Sequence, residues 1–462
     1  MKKKNILSIV CAAGAMTLVS SCGLYTPYSR PDISFADSLY RPLPCDSLYA
    51  DSVSVAAQSW KSFFTDPQLQ QWIEIGLKNN ADLNVAHLRT KQAEAALQAS
   101  RQAFLPSLDL SVEGSVSKKG SAAAAKGYSI GPSAAWEVDL FGRLTNEKRG
   151  AQAALLQSDA YRQAVQIQVI SGIANAYYTL LMLDEQLRIS QYTLITMKEN
   201  VRTLAALKTA GKTNEAAVLQ AKANQLSVEG NMKTLKRQIA EQEHALCGLL
   251  GITPQTIERG KLDDQRFPEK LSLGIPLKTL ANRPDVREAE YSLMQAYYAT
   301  NAVRADFYPQ LTLSGSLGWT NGSGLAVTNP GSWLLNALGS LVQPLFQKGQ
   351  NRANLKIAQA QQEEALLLFR QSLLDAGIEV NDALMQWQTA RERIDVDREQ
   401  ISLLRAAVWN TRLLMKHGQV NYLEVLIAQQ NLLQAELTGA EDKYDEIQGV
   451  ITLYHALGGG LS

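Results

Sequence analysis

The hydrophobic positions change period twice along the chain, from three-to-four residues to two and back again. Leu108, Leu110, Val112, Gly114 and Val116 alternate with Asp109, Ser111, Glu113 and Ser115. That period of two predicts a β-strand with one apolar and one polar face. A second run sets Tyr128, Ile130, Trp136, Val138 and Leu140 against Ser129, Ser133, Glu137 and Asp139. A third sets Leu311, Leu313, Gly315, Leu317 and Trp319 against Thr312, Ser314 and Ser316, and a fourth is apolar with poor alternation. Strands are expected at 106–117, 128–141, 309–319 and 332–346, each pair joined by a Gly/Ser-rich loop.

Around each pair the period is helical. Helices are expected over 66–104 and 285–307, stopped by Pro106 and Pro309. Long runs follow at 145–208 and 351–416, then tight turns at 209–213 and 417–420, then closing helices at 214–250 and 421–457. The long runs are rich in Ala, Gln, Leu and Glu, with apolar residues three and four apart, the pattern of a coiled-coil-like wall. Each would extend about 95 Å at ~1.5 Å per residue, more than a globular domain needs.

The two halves are one plan repeated. Arg101, Phe104 and Pro106 return as Arg304, Phe307 and Pro309, Leu140-Phe141 as Leu345-Phe346, and Gly211, Asn214, Val218, Leu219, Ala221 and Asn224 as Gly418, Asn421, Val425, Leu426, Ala428 and Asn431. The spacing drifts only from 203 to 207 residues, so the chain is a tandem duplication. Its expected organisation is a signal peptide at 1–21, an N-terminal strap at 22–65, repeat 1 at 66–258, a linker at 259–280 and repeat 2 at 281–459.

The N-terminus adds a compartment. Lys2, Lys3 and Lys4 precede an apolar stretch too short to span a bilayer. It ends in Val19-Ser20-Ser21-Cys22, which resembles the lipobox of bacterial lipoproteins and makes Cys22 the expected lipidation site. No later run of 18 apolar residues predicts a membrane helix. The net charge of +1, with both signs interleaved, gives no basis for nucleic-acid binding. His87, His244, His417 and His455 are scattered, with no metal-ligand pairing, phosphate loop or nucleophile elbow, so neither an enzyme, a metal nor a cofactor is expected. Cys45 and Cys247 allow a disulfide or two free thiols.

In an exported chain, ten-residue strands with apolar-out and polar-in alternation fit a transmembrane barrel. Four strands cannot close one, and an open edge in lipid leaves backbone groups unpaired at several kcal/mol each. Several copies are therefore required: two give eight strands, three give twelve and room for water. The polar face, with Glu113, Glu137 and Asp139, would line the lumen. The glycine turns would lie at the other, periplasmic end.

The whole mature chain resembles the TolC-type outer-membrane efflux proteins of the lipoprotein branch, the outer components of RND-type tripartite pumps. The resemblance rests on Trp60, Phe63-Phe64, Asp66-Pro67, Leu69 and Asp82-Leu83, and on Arg283-Pro284-Asp285-Val286 with Ala289-Glu290. Pro344-Leu345-Phe346 with Asn351-Arg352-Ala353, and Tyr422-Leu423-Glu424-Val425-Leu426, complete it. It implies an α plus transmembrane-β fold: a homotrimer with a twelve-strand outer-membrane barrel and a long helical periplasmic barrel. It also implies a duct that passively conducts small molecules such as drugs, fed by a periplasmic adaptor (membrane fusion) protein and an inner-membrane RND-type transporter.

By position, Gly211, Lys212, Thr213, Asn214 and Gly418, Gln419, Val420, Asn421 would be the adaptor-contacting tips. Glu424 matches a gate carboxylate of the family, whereas the next such position is Ile427, and a frequent tyrosine is Met415. The gate is thus expected to be less acidic. A lipid-anchored coiled-coil or adhesin, or the outer part of a polypeptide secretion system, is the competing reading. In the strap, Asp37-Ser38-Leu39, Asp46-Ser47-Leu48 and Asp51-Ser52-Val53 resemble an Asp-Ser/Thr-aliphatic O-glycosylation motif of some bacteria, with Ser38, Ser47 and Ser52 as acceptors against ordinary linker composition.

Overall fold

A computed structural model describes residues 25–32, 59–267, 283–320 and 332–459. Their elements run α1 (Trp60–Phe63), α2 (Pro67–Asn79), α3 (Ala81–Gln102), β1 (Ser107–Ser117), β2 (Ala125–Val138), α4 (Arg143–Thr209), α5 (Glu215–Leu250), a 3-10 turn (Leu262–Asp264), α6 (Pro284–Ala305), β3 (Gln310–Thr320), β4 (Ser332–Val342), α7 (Gln350–Lys416) and α8 (Tyr422–Ala456). None of the described helices is long and apolar enough to cross a membrane.

The residues form two compact units. The first comprises 1–32, 88–159 and 287–371, and holds the sheet. Its strands pair antiparallel in the order β1-β2-β3-β4. Residues 25–32 of the strap have no regular structure and lie along α6: Tyr297 donates its hydroxyl to the Thr26 carbonyl at 2.8 Å, and Arg30 Nε donates to Glu290 Oε1 at 2.7 Å. Thr300, fully buried, donates from α6 to the Ala358 carbonyl of α7 at 3.1 Å.

The second unit comprises 33–87, 160–286 and 372–462. Its core gathers Phe63, Phe64 and Tyr454, with ring centroids 5.2 and 5.3 Å from Tyr454, together with the buried Leu69, Ile73, Tyr177 and Tyr178. Gly449 of α8 lies against Trp387 of α7; a Cβ there would sit 2.9 Å from the Trp387 backbone, so only glycine permits this approach.

Several boundaries differ from the sequence expectation. The opening helix of repeat 1 is three pieces, with Trp60–Phe63 already helical inside the strap segment. The first break follows from Asp66, whose carboxylate caps α2 through the Gln68 and Leu69 amides at 2.8 and 3.3 Å, with Pro67 at the first helical position. The second strand ends at Val138, not 141, and the fourth at Val342, not 346. Leu140-Phe141 and Leu345-Phe346 are not structural equivalents either. The left-handed glycines before the two long helices, Gly142 and Gly349, are 207 residues apart, which sets Phe141 against Lys348.

Candidate functional site

Because opposed residues of an antiparallel pair share a face, the register assembles the alternating strands into one two-sided surface. Leu110 lies opposite Pro132, Val112 opposite Ile130, Ile130 opposite Trp319, and Trp319 opposite Trp333. Continuing by parity, one face carries Leu, Val, Ile, Tyr and Trp on all four strands, with Lys126 at its loop margin. The opposite face carries Ser, Thr, Gly and Ala with Asp109, Glu113 and Glu137, interrupted on β4 by Leu334, Leu338 and Val342.

The apolar face is bare. Leu108, Leu110 and Leu335 are 76, 73 and 75% exposed, and β1 is exposed on both faces throughout. Leaving such side chains in water forgoes ~25 cal/mol per Å² of apolar area. Aromatic residues mark both margins. Trp319 and Trp333 sit 4.0 Å apart beside the loops, and Trp136, at the helical end, donates its indole N–H to the Phe104 carbonyl at 2.9 Å. Tyr128 and Trp136 are eight residues apart on β2, about 26 Å along the strand at ~3.3 Å per residue, which at the ~35–45° tilt of an outer-membrane barrel strand is about 20 Å of height, most of the ~25 Å apolar band. The outer edges of β1 and β4 have no strand beside them among the described residues.

Of the expected lumen carboxylates, Glu113 is exposed on the polar face of β1. Glu137 is on the polar face of β2, gripped by Arg143 at 2.9 and 2.6 Å. Asp139 lies one residue past the end of the strand and accepts from the Leu144 and Thr145 amides and the Thr145 hydroxyl at 3.1, 2.8 and 2.6 Å. A carboxylate one residue beyond β2 is placed to satisfy the free N–H groups and the positive end of α4.

The two glycine turns are built alike. At Gly211, φ is 69°, the Lys212 amide donates to Leu207 and the Gly211 amide to Lys208, both at 2.9 Å. At Gly418, φ is 72°, the Gln419 amide donates to Leu414 and the Gly418 amide to Met415, at 2.9 and 3.0 Å. Both are Schellman closures, which need the left-handed residue that glycine supplies. Asn214 and Asn421 then cap the returning helices through the Ala217 and Leu423 amides. Below the turns, Leu204, Ala221, Tyr422, Val425 and Leu426 form a buried cluster, with Met415 packed against it. Glu424 is exposed and Ile427 is 48% exposed, so both lie on the open side of α8.

Three polar joints were not anticipated from sequence. Asp66 also accepts from the Tyr177 hydroxyl at 2.8 Å and Gln265 at 2.9 Å; its Asp-Pro start was the signal for a cap. Arg283, the first residue of the Arg-Pro-Asp motif, is 2% exposed in its side chain and donates to the Ala456 carbonyl, Asp285 and Glu379, each at 2.7 Å. Burial pushes the Asp285 carboxyl up, but the Arg283 bond and charge outweigh it and hold it below its ordinary value. On α8, Asp442 is fully buried, 2.5 Å from Arg393 and against Asp397; burial and the Asp397 carboxylate push it up to about 7. No sequence signal marked that pair.

Among the described residues no group of three or more His, Cys, Asp or Glu side chains could hold a metal. Cys247 is a buried free thiol. Cys22, Cys45, Ser38, Ser47 and Ser52 lie outside the described residues.

Comparison with known proteins fits this geometry. The family model for outer membrane efflux proteins matches twice, over residues 72–252 and 275–459, one match in each repeat. The cation efflux system protein CusC of Escherichia coli (strain K12) is 30% identical over 457 residues, covering 97% of this chain and 98% of that one. The toluene efflux pump outer membrane protein TtgI of Pseudomonas putida is 28% identical, covering 97% of both. The open state of the Neisseria gonorrhoeae MtrE outer membrane channel superposes with a TM-score of 0.85 at 27% identity, covering 95% of this chain and 98% of that one. The chain thus belongs to the outer membrane efflux protein family and is an outer-membrane channel, the exit duct of an efflux pump.

Proposed function

We propose that three copies of this chain close one twelve-strand barrel, and that a periplasmic adaptor engages the turns at Gly211 and Gly418 to pass on cargo from an inner-membrane RND-type transporter. The observation that carries this is the sheet: an apolar face bare on all four strands, a polar face behind it, and edges of β1 and β4 with no strand beside them among the described residues. Backbone groups left open in lipid cost several kcal/mol each, so the edges must close on other copies. Eight strands would fill their own interior, whereas twelve leave a water-filled lumen. Glu113 and Glu137 would face that lumen. Cys22 would carry the lipid, and Glu424 with Ile427 would narrow the periplasmic mouth.

The names of the relatives span cations and toluene. That breadth supports a duct that conducts small molecules without a selective pocket, with the choice of cargo made upstream; it conducts and does not catalyse. Native mass measurement of the detergent-solubilised protein, followed by conductance in a planar bilayer, tests the reading. Three copies with a stepwise, salt-carried current support it. Single copies without conductance would return the chain to the structural-lipoprotein alternative.

A further inference from the structure

The two ends of the sheet differ in charge. The helical end carries both signs and pairs them: Arg143 reaches Glu137 and Glu147, each at 2.6 Å. The loop end carries lysines. Lys118 and Lys119 follow directly on the last residue of β1, Ser117, and Lys126 is the second residue of β2, opposite Val116. All three are exposed. The sequence has no Asp or Glu between Glu113 and Glu137, and residues 307–347 carry no charge of either sign. The two hairpins therefore bring three lysines and no carboxylate to this end.

The strands also sort charge by face. The polar face holds carboxylates alone, Asp109, Glu113 and Glu137, among the described residues. Lys126 shares the apolar face with Val116, Tyr128 and Ile130, and is the one charged strand residue on that face among those described. Its neighbours form an aromatic row: Ile130 lies opposite Trp319, Trp319 opposite Trp333, and Tyr128 is one step nearer the loop. Such girdles mark the level where hydrocarbon gives way to headgroups. Lys126 lies two residues beyond Tyr128, about 7 Å further along the strand. From there its aliphatic stem can follow the apolar surface while the ammonium reaches the headgroup layer.

The helices leave the sheet at Phe104 and Arg143, so in an outer-membrane channel with periplasmic helices the loop end meets the outer leaflet. We infer that this end, with Lys126 flanked by Lys118 and Lys119, is a docking surface for the phosphate headgroups of outer-leaflet lipid. It rests on the reading that the bare apolar face meets lipid, and adds to it the chemistry of the lipid met. An anionic cargo leaving through the lumen would call for cations on the polar face, where the strands carry carboxylates instead. Each lysine close to an anionic lipid surface strengthens binding by about fivefold, and salt screens the attraction.

The test is titration of the full-length protein in detergent with bis-phosphorylated lipid A, followed by native mass measurement. Lipid A should bind, its phosphate-free form should bind far more weakly, and added salt should narrow the difference. Lys118→Gln, Lys119→Gln and Lys126→Gln together should weaken lipid A binding about 100-fold, at roughly fivefold for each lysine. Arginine at the same three positions should restore it, and Lys348→Gln, beyond the helical end of β4, should leave it unchanged. Equal binding of both lipids, unaltered in the triple Gln variant, would overturn the headgroup contact and leave the lipid-facing sheet standing. Unaltered lipid binding with a changed anion selectivity of the channel would overturn it as well, and assign the lysines to the pore exit. Binding of neither lipid would count against lipid at this face altogether.

Discussion

Arg283 holds the last carbonyl of α8, its own Asp285 and Glu379 of α7 in one fork of hydrogen bonds, with almost none of its side chain exposed. In the sequence this residue signals family; in the structure it joins three helices. Arg283→Ala leaves Ala456 without its donor and removes three charge-assisted bonds to two carboxylates, each worth about 1.5–3 kcal/mol. Both carboxylates are nearly half exposed and regain water, so a net loss of about 3 kcal/mol is expected, seen as a lowered urea midpoint. Arg283→Lys should recover only part of it, since an ammonium cannot fork. The tip glycines differ in kind: nothing lies within 4 Å of a Cβ built on Gly211 or Gly418. Alanine there costs only the left-handed backbone, about 1–2 kcal/mol each, with three-copy assembly retained by size measurement. At the mouth, Glu424→Gln should weaken block by multivalent cations; an unchanged single-channel current would remove Glu424 from the gate.

At the scale of elements, the long helices are held partly by charge. Asp442 of α8 sits against Asp397 and Arg393 of α7, with Asp445 nearby on its own helix. Glu185 and Arg188 of α4 line the same groove as Asp397, along with Asp263 and Lys443. The folded value of Asp442, about 7, lies above its ordinary 3.8, so the folded state holds the extra proton. The contribution is therefore full below about pH 4 and is lost as pH rises through 7, by at most about 1.4 kcal/mol per pH unit. Asp285, held low, works in the opposite direction, adding stability above its ordinary value and losing it in acid. Chemical denaturation between pH 5 and 8 should show stability falling with pH, and Asp442→Asn should flatten that slope. The strands carry another lesson: the faces of β1, β2 and β3 were legible from alternation, but β4 alternated poorly and was expected four residues beyond its observed end. The apolar run continues to Phe346, while pairing with β3 stops at Val342.

For the whole molecule, the sequence by itself determined the duplication, the two-faced strands, the positions of both tips and the family. Each rests on periodicity or on motif residues, which depend on neighbours a few positions away. Tertiary structure decided what those residues do. Asp139 alternates like a lumen residue, yet the strand ends before it and the helix beyond takes its carboxylate. The aromatic pair Phe63-Phe64 reads as a motif but forms a core with Tyr454, nearly 400 residues away. The Asp442–Asp397 pair has no local signature, because burial and charge proximity between α7 and α8 arise only when the helices pack. Distances across elements are not written in any window of sequence; they come from closing the chain on itself.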